Sequence, residues 1–233
     1  RSALDAVELM NVGWNFRREH LRPEQRSHYV ITKGGDQPNV VPSEAGVWYY
    51  FRELDLENIK KLWAIGDQIA DGAARMTGTS FTSKVLGAAW PQHFNKVLAQ
   101  TMHANIQSTG MPNWSAEDTA FAKATQAALN VPEAGLRSAV ADLEGPVERN
   151  LGGPSDDIGD VSWNVPTVTL RYPSNIQGLP FHHWASALAM ATPIAQKGVM
   201  AASKVQALTV LDLLADPAIL VQSRRYFVQE QKA

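Results

Sequence analysis

HYVITKGGDQPNVVPSEAGVWYYFREL, running from His28 to Leu54, decides the fold. Its first part, His28 to Gly35, is β-branched and aromatic and closes on two glycines, so it reads as a strand and a turn. DQPNVVPSEA is a proline-bounded connection, and GVWYYFREL, Gly46 to Leu54, is a second strand dense in aromatics. On the N-terminal side, RSALD reads as a helix start, with Ser2 as N-cap and Asp5 three residues on. Leu4, Val7, Met10 and Trp14 then mark an apolar stripe, predicting a helix from Ala3 to about His20. On the C-terminal side, Leu56 to Arg75 carries Ile59, Leu62, Trp63, Ile69 and Ala73 at helical spacing, with Gly78 just past the end. TSFTSKVLGAAW, Thr79 to Trp90, is expected as a third strand. The order α-β-β-α-β is that of a ferredoxin-like β-α-β-β-α-β unit without its first strand. The sequence begins at Arg1 with no lead-in to its first helix, so further residues upstream are expected.

Pro91 marks a boundary, dividing residues 1–90 from 91–233. Beyond it, Phe94, Val97, Leu98, Thr101, Met102, Asn105 and Ile106 form an amphipathic helical pattern ending near Gly110. Ser115 and Asp118 open another helix, to about Leu129. EGPVERNLGGPSDDIGD is a long polar Gly/Pro loop, a kind of segment that is often functional. Val165 to Pro173 is expected as a strand. Helices follow from Trp184 to Ala215, broken near Pro193 to Gly198, and from Asp216 to about Gln229.

A chain of 233 residues that is 45% hydrophobic has room for a real core. The net charge of −2 gives no strong field toward nucleic acid or an anionic membrane, and basic residues are not interleaved with aromatics as a nucleic-acid groove needs. With no cysteine, disulfides and thiolate metal sites are excluded, and a cytoplasmic setting is expected. No apolar run reads as a membrane span, since Ala185 to Ala202 is interrupted by Pro193, Gln196, Lys197 and Gly198.

Three groups of residues have chemical potential. His182 and His183, in GLPFHHWA, stand where a loop enters a helix. Neutral imidazole is a common metal ligand, but a hydrogen-bonded pair capping the helix fits the same spacing. The acidic run Asp156, Asp157 and Asp160 suits a hard cation, although it lacks the spacing of an EF-hand loop. Equally, it suits a solvated turn whose carboxylates cap amides. Asn39 and Arg52 offer an amide and a planar guanidinium that would grip a carboxylate. The plainer reading makes Asn39 a turn residue and Arg52 a surface charge. His20, His28, His93 and His103 carry no such pattern.

RSALDAVELMNVG, HYVITKGGDQPNVVPSEAGVWYYFRE, GPSDDIGDVSWNVPTVTLRYP and GLPFHHWASALAMATPIAQKG together resemble the metal-dependent aminoacylase/carboxypeptidase family of amidohydrolases. The resemblance covers nearly the whole chain and corresponds to roughly the C-terminal half of such a protein. It implies an α/β protein: a partial ferredoxin-like α+β lid, used for dimerisation, followed by the C-terminal part of an α/β/α metallopeptidase-like catalytic domain. It also implies an enzyme that holds two divalent metals, zinc or manganese, and cleaves the amide bond of N-acyl or N-aroyl amino acids. Its partners would be that small-molecule substrate and a second protomer docked through the lid, as homodimer or hetero-oligomer, with no nucleic acid and no membrane.

Position by position, His182 matches a metal-ligand histidine, and His183 a neighbouring position that varies. Asn39 and Arg52 match lid residues that bind the substrate carboxylate. Asp157 falls where relatives have an acidic residue near the site. Phe181 departs from the pattern, standing where glycine is expected. The family's other metal motifs, its catalytic glutamate and its lid histidine have no counterpart after Arg1. The chain alone is therefore expected to be inactive. The alternative is a non-catalytic dimerisation or assembly fragment, or half of a split protein.

Overall fold

The computed structural model describes residues 1–145 and 156–231. They fall into two compact units, one holding Arg1–Pro91 with residues 156–159, the other residues 92–145 and 160–231.

The first unit is built on α1 (Ala3–Arg17), β1 (Arg26–Lys33), β2 (Gly46–Arg52) and α2 (Leu56–Thr77). Ser2 caps α1, its hydroxyl accepting from the Asp5 amide, and a 3₁₀ turn over Arg18–His20 completes the predicted span. β1 and β2 form a two-stranded antiparallel sheet in which Ser27 faces Phe51, Tyr29 faces Tyr49 and Ile31 faces Val47. The period-2 alternation turns that set toward α1. Trp14 of α1 is fully buried there, donating from Nε1 to Ser27 Oγ at 2.8 Å and lying 4.8 Å from the Phe51 ring. Tyr49 donates to the buried Asn11 Oδ1 at 2.5 Å, and burial raises its hydroxyl well above the ordinary tyrosine range. α2 starts on Asp55, which caps the Asn58 amide, and ends on Gly78, whose φ of 64° is the left-handed conformation of a C-cap glycine. Gly66 lets α2 approach the Phe51 ring, which stands 3.0 Å from where its Cβ would be.

The expected third strand, Thr79 to Trp90, is absent: residues 79–91 have neither helix nor ladder. A strand exists only by pairing. In the β-α-β-β-α-β order the last strand lies beside the first, and no described segment takes that first place. The apolar alternation is there, but its hydrogen-bonding neighbour is not. The first unit is thus mixed helix and two-stranded sheet, without a complete ferredoxin-like sheet.

The second unit holds α3 (Lys96–Thr109), α4 (Ala116–Ala128), α5 (Ile158–Ser162, which runs in from the first unit), α6 (Trp184–Met190), α7 (Pro193–Ala215) and α8 (Pro217–Tyr226), with a π turn at Phe227–Gln231. α4 begins on the Ser115 cap that the sequence marks, whereas α3 begins two residues past Phe94, on a cap that its apolar pattern does not show. Asn95, fully buried, caps α3 through its Oδ1 while its Nδ2 donates to Ser223 O and Gln231 Oε1, so one side chain ties α3 to the C-terminal turns. Ser115 and Asp118 form a reciprocal capping box on α4. Ala122, Leu136, Ile176, Ala189 and Ile194 make a core cluster, and the buried Gln126 side chain bridges Gly135 and Gln177 beside it.

Three expectations need correction here. Val165 to Pro173 is not a strand; Val165 N bonds back to Val161 O at 3.0 Å and Asn95 N donates to Thr167 O at 2.8 Å, isolated bonds rather than a ladder. The helix break falls at Ala191 and Thr192, not across Pro193 to Gly198. Pro193 occupies the first turn of α7, where its missing N–H costs nothing, and Gly198 lies inside the helix. Gly198 is needed for contact, since a Cβ there would stand 2.0 Å from the Pro173 carbonyl oxygen. Finally, α7 is long and apolar enough to cross a membrane by length and composition alone, contrary to the reading of the interrupted Ala185 to Ala202 run. Shifting the window C-terminally, past Pro193, brings in Val205, Leu208 and Val210, while Gly198 and Lys204 stay inside it.

Candidate functional site

The loop from Gly178 to His183 reaches the surface between the Ile176 core contact and α6. Its shape is fixed by Asn175 Nδ2 donating to Ser186 O at 3.1 Å and Ser186 Oγ donating to Pro180 O at 2.8 Å. His183 is the N-cap of α6, its Nδ1 accepting from the Ala185 amide at 3.3 Å. An accepting Nδ1 carries no proton, so the neutral ring holds its hydrogen on Nε2. This is the capping geometry weighed for the pair, and His183 is the member that adopts it.

His182 takes the other path. Its φ of 55° lies in the left-handed region, uncommon for a residue other than glycine, and the residue is exposed. Among the described residues its ring makes no hydrogen bond. The turn thus divides the pair, one histidine bound to its helix and the other presented to solvent. Phe181 beside it is 94% exposed, so it fills no space beneath the loop.

Asn39 lies in the β1–β2 connection, in the turn closed by Val40 N to Gln37 O at 3.1 Å, and it is exposed. Arg52 stands at the far end of β2, opposite Arg26, with its guanidinium 5.8 Å from the Tyr50 ring centre. The connection joins β2 at Gly46, roughly 20 Å from Arg52 at about 3.4 Å per residue. One hairpin therefore carries both donors but does not bring them together. The turn supplies the plain role foreseen for Asn39; Arg26, which no sequence pattern singled out, is the residue that register places across from Arg52.

Asp157 is exposed in the turn before α5, and its neighbour Asp156 caps that helix by accepting from Ile158 N at 3.0 Å. Residues 146–155 of the polar loop lie outside the described residues. Asn39, Arg52 and Asp157 belong to the first unit and His182 to the second. Among the described residues no group of three or more His, Asp or Glu side chains gathers to hold a metal, so the donors present do not by themselves fit a metal centre. A groove along α1 and the end of α2, lined by Arg1, Ser2, Asp5, Glu8, Met76 and Thr77, contains none of the candidate residues.

No protein-family profile matches the chain. Its curated relatives are hydrolases of amide bonds, the class to which its resemblance already pointed. The chain is similar to a p-aminobenzoyl-glutamate hydrolase subunit of Escherichia coli K12, at 34% identity over 249 residues, covering 97% of this chain and 52% of that protein. It is also 26% identical to the Xaa-Arg dipeptidases of mouse and human, again over 97% of its length and over 46% and 45% of theirs. The chain spans about half the length of the curated relatives it matches. The likeness to the p-aminobenzoyl-glutamate hydrolase subunit supports the resemblance read from the four stretches.

Proposed function

We propose that the chain is the lid-and-catalytic-segment part of a metal-dependent amidohydrolase that cleaves N-acyl or N-aroyl amino acids such as p-aminobenzoyl-glutamate. The observation that carries this is the 34% identity to the E. coli hydrolase along 97% of the chain. Residues 1–90 would serve as lid and dimerisation domain and residues 91–233 as the catalytic segment, in a cytoplasmic protein with a homo- or hetero-oligomeric partner. His182 is the metal ligand in this reading, supported by its exposure and by a turn that separates it from the capping His183. Two divalent ions, zinc or manganese, would act as Lewis acids on the amide carbonyl when bound. Arg52 binds the substrate carboxylate through its planar donors. Asn39 and Asp157 are assigned to carboxylate binding and to the site's acidic edge, and the hairpin geometry gives Asn39 the weaker case.

The test is hydrolysis of p-aminobenzoyl-glutamate by this chain joined to the portion of the E. coli protein that lies outside the match, loaded with zinc or manganese. Turnover that survives His182→Ala would remove the ligand assignment, and absence of any amide hydrolysis would remove the function. A second reading is favoured by one observation, the absence of a three-residue metal cluster among the described residues. In it the chain is a non-catalytic assembly fragment, and stoichiometric metal with turnover in the isolated chain would exclude it.

A further inference from the structure

The sheet of the first unit has a second face, opposite the one that packs on α1. Period-2 alternation puts Trp48, Tyr50 and Arg52 of β2 on it, and the register sets Val30, His28 and Arg26 of β1 across from them. All six are exposed, and the two large rings, Trp48 and Tyr50, keep 43% and 51% of their surface in water. They are also ordered. Trp48 and Tyr50 meet edge-on with ring centres 5.2 Å apart, and the Arg52 guanidinium lies 5.8 Å from the Tyr50 centre. Along one strand the row is ring, ring, cation. Arg26, across the ladder from Arg52, has its guanidinium tied to the Pro23 and Gln25 carbonyls, both at 2.6 Å. Exposed apolar surface that ends on cations matches a ligand with a planar apolar body and an anionic head. In an N-aroyl amino acid four bonds link the carboxylate carbon to the ring, so the ring centre lies roughly 6 Å away at standard bond lengths. With the carboxylate on Arg52, that is one step along the row, at Tyr50, with Trp48 beyond it.

We propose that Trp48 and Tyr50 form an aromatic ledge that selects a planar aroyl group over an aliphatic acyl group on the substrate nitrogen. The inference rests on the assignment of Arg52 to the substrate carboxylate and supplies the specificity which that assignment leaves open. Arg52 recognises the carboxylate common to all N-acyl amino acids, whereas the two rings discriminate what the nitrogen carries. A flat ring gains stacked or edge-to-face contact with both side chains; a short aliphatic acyl group gains only the area it buries.

The test is equilibrium binding to the chain itself, read by calorimetry with N-benzoyl-glutamate and N-acetyl-glutamate, so it needs no turnover. The benzoyl compound should bind about tenfold more tightly. Trp48→Ser together with Tyr50→Ser should bring the two affinities together by weakening the benzoyl compound alone, whereas Arg52→Ala should weaken both. Trp48→Phe together with Tyr50→Phe keeps the rings and should keep the preference, which separates lost ring contact from a damaged fold. The inference is overturned by equal affinities in the parent, by no measurable binding of either compound, by a preference that survives the double serine variant, or by self-association through this face that N-benzoyl-glutamate does not compete away. A ring preference without hydrolysis in the joined protein would leave the ledge standing and remove the amidohydrolase reading; hydrolysis without a ring preference would do the opposite.

Discussion

Asp118 of α4 and Lys197 of α7 are joined by an ion pair in which the carboxylate is nearly buried and the ammonium keeps 35% of its side chain in water. The same Asp118 oxygen accepts from the Ser115 amide at 2.8 Å, so one carboxylate closes a capping box and ties two helices. Burial alone would raise its pKa, but the Lys197 bond and the Ser115 amide and hydroxyl outweigh it and hold the group below its ordinary value. With the folded pKa depressed, the stabilisation is present above the unfolded value. It is lost as pH falls through the folded value, below about pH 4. Asp118→Asn should therefore flatten the acid limb of a stability–pH curve. At neutral pH it should cost about 1–2 kcal/mol, less than a fully buried pair because Lys197 is partly solvated. An acid limb of unchanged slope in urea titrations would contradict this.

Gly198 and Gly72 should respond to alanine with opposite signs. In α7 a Cβ at Gly198 meets the Pro173 carbonyl at 2.0 Å and Ser174 Cα at 2.6 Å, both backbone atoms that cannot rotate away. Gly198→Ala should destabilise the second unit by about 2 kcal/mol or more, despite alanine's helix propensity. At Gly72 in α2 nothing lies within 4 Å, and Gly72→Ala should stabilise by about 0.5–1 kcal/mol. Thermal unfolding of the two variants decides it; shifts of the same sign would refute the contact geometry.

Trp14→Phe retains most of the buried ring but leaves Ser27 Oγ without its 2.8 Å donor, and should cost about 1–2 kcal/mol. Trp14→Ala opens a cavity against Tyr49 and Phe51 and should cost about 3–5 kcal/mol. Equal losses from both would mean that the hydrogen bond carries the whole effect.

His183→Ala removes the α6 cap and should cost about 1 kcal/mol, recovered in His183→Asn or His183→Asp. His182→Ala, at a solvent-facing position, should leave unfolding unchanged in the isolated chain while abolishing turnover in the joined protein described above. Loss of stability at His182 with none at His183 would reverse their roles.

Arg52→Ala in that joined protein should raise KM for carboxylate-bearing substrates with little change in kcat, as expected for a group that binds substrate and transition state alike. An unchanged KM would remove Arg52 from substrate binding. Arg26→Ala, directly across the ladder, tests whether its neighbour shares the task.

The sequence by itself determined the helices and the hairpin, because their signals are local. Ser2, Asp55, Asn95 and Ser115 each cap the amide three residues ahead, Gly78 needs only its own φ, and the two aromatic strands are joined by their own connection. The resemblance and the candidate residues were legible in the same way, as short stretches of side chains. Tertiary structure decided what depends on a neighbour. Thr79 to Trp90 and Val165 to Pro173 have the composition of strands, yet a strand is made by the ladder beside it, which no described segment supplies. Only the fold shows Gly198 pressed against Pro173, or Lys197 reaching Asp118 across 79 positions. Adjacent histidines look alike in a sequence; it is the turn at His182, with its positive φ, that gives one ring to the α6 amide and leaves the other facing water.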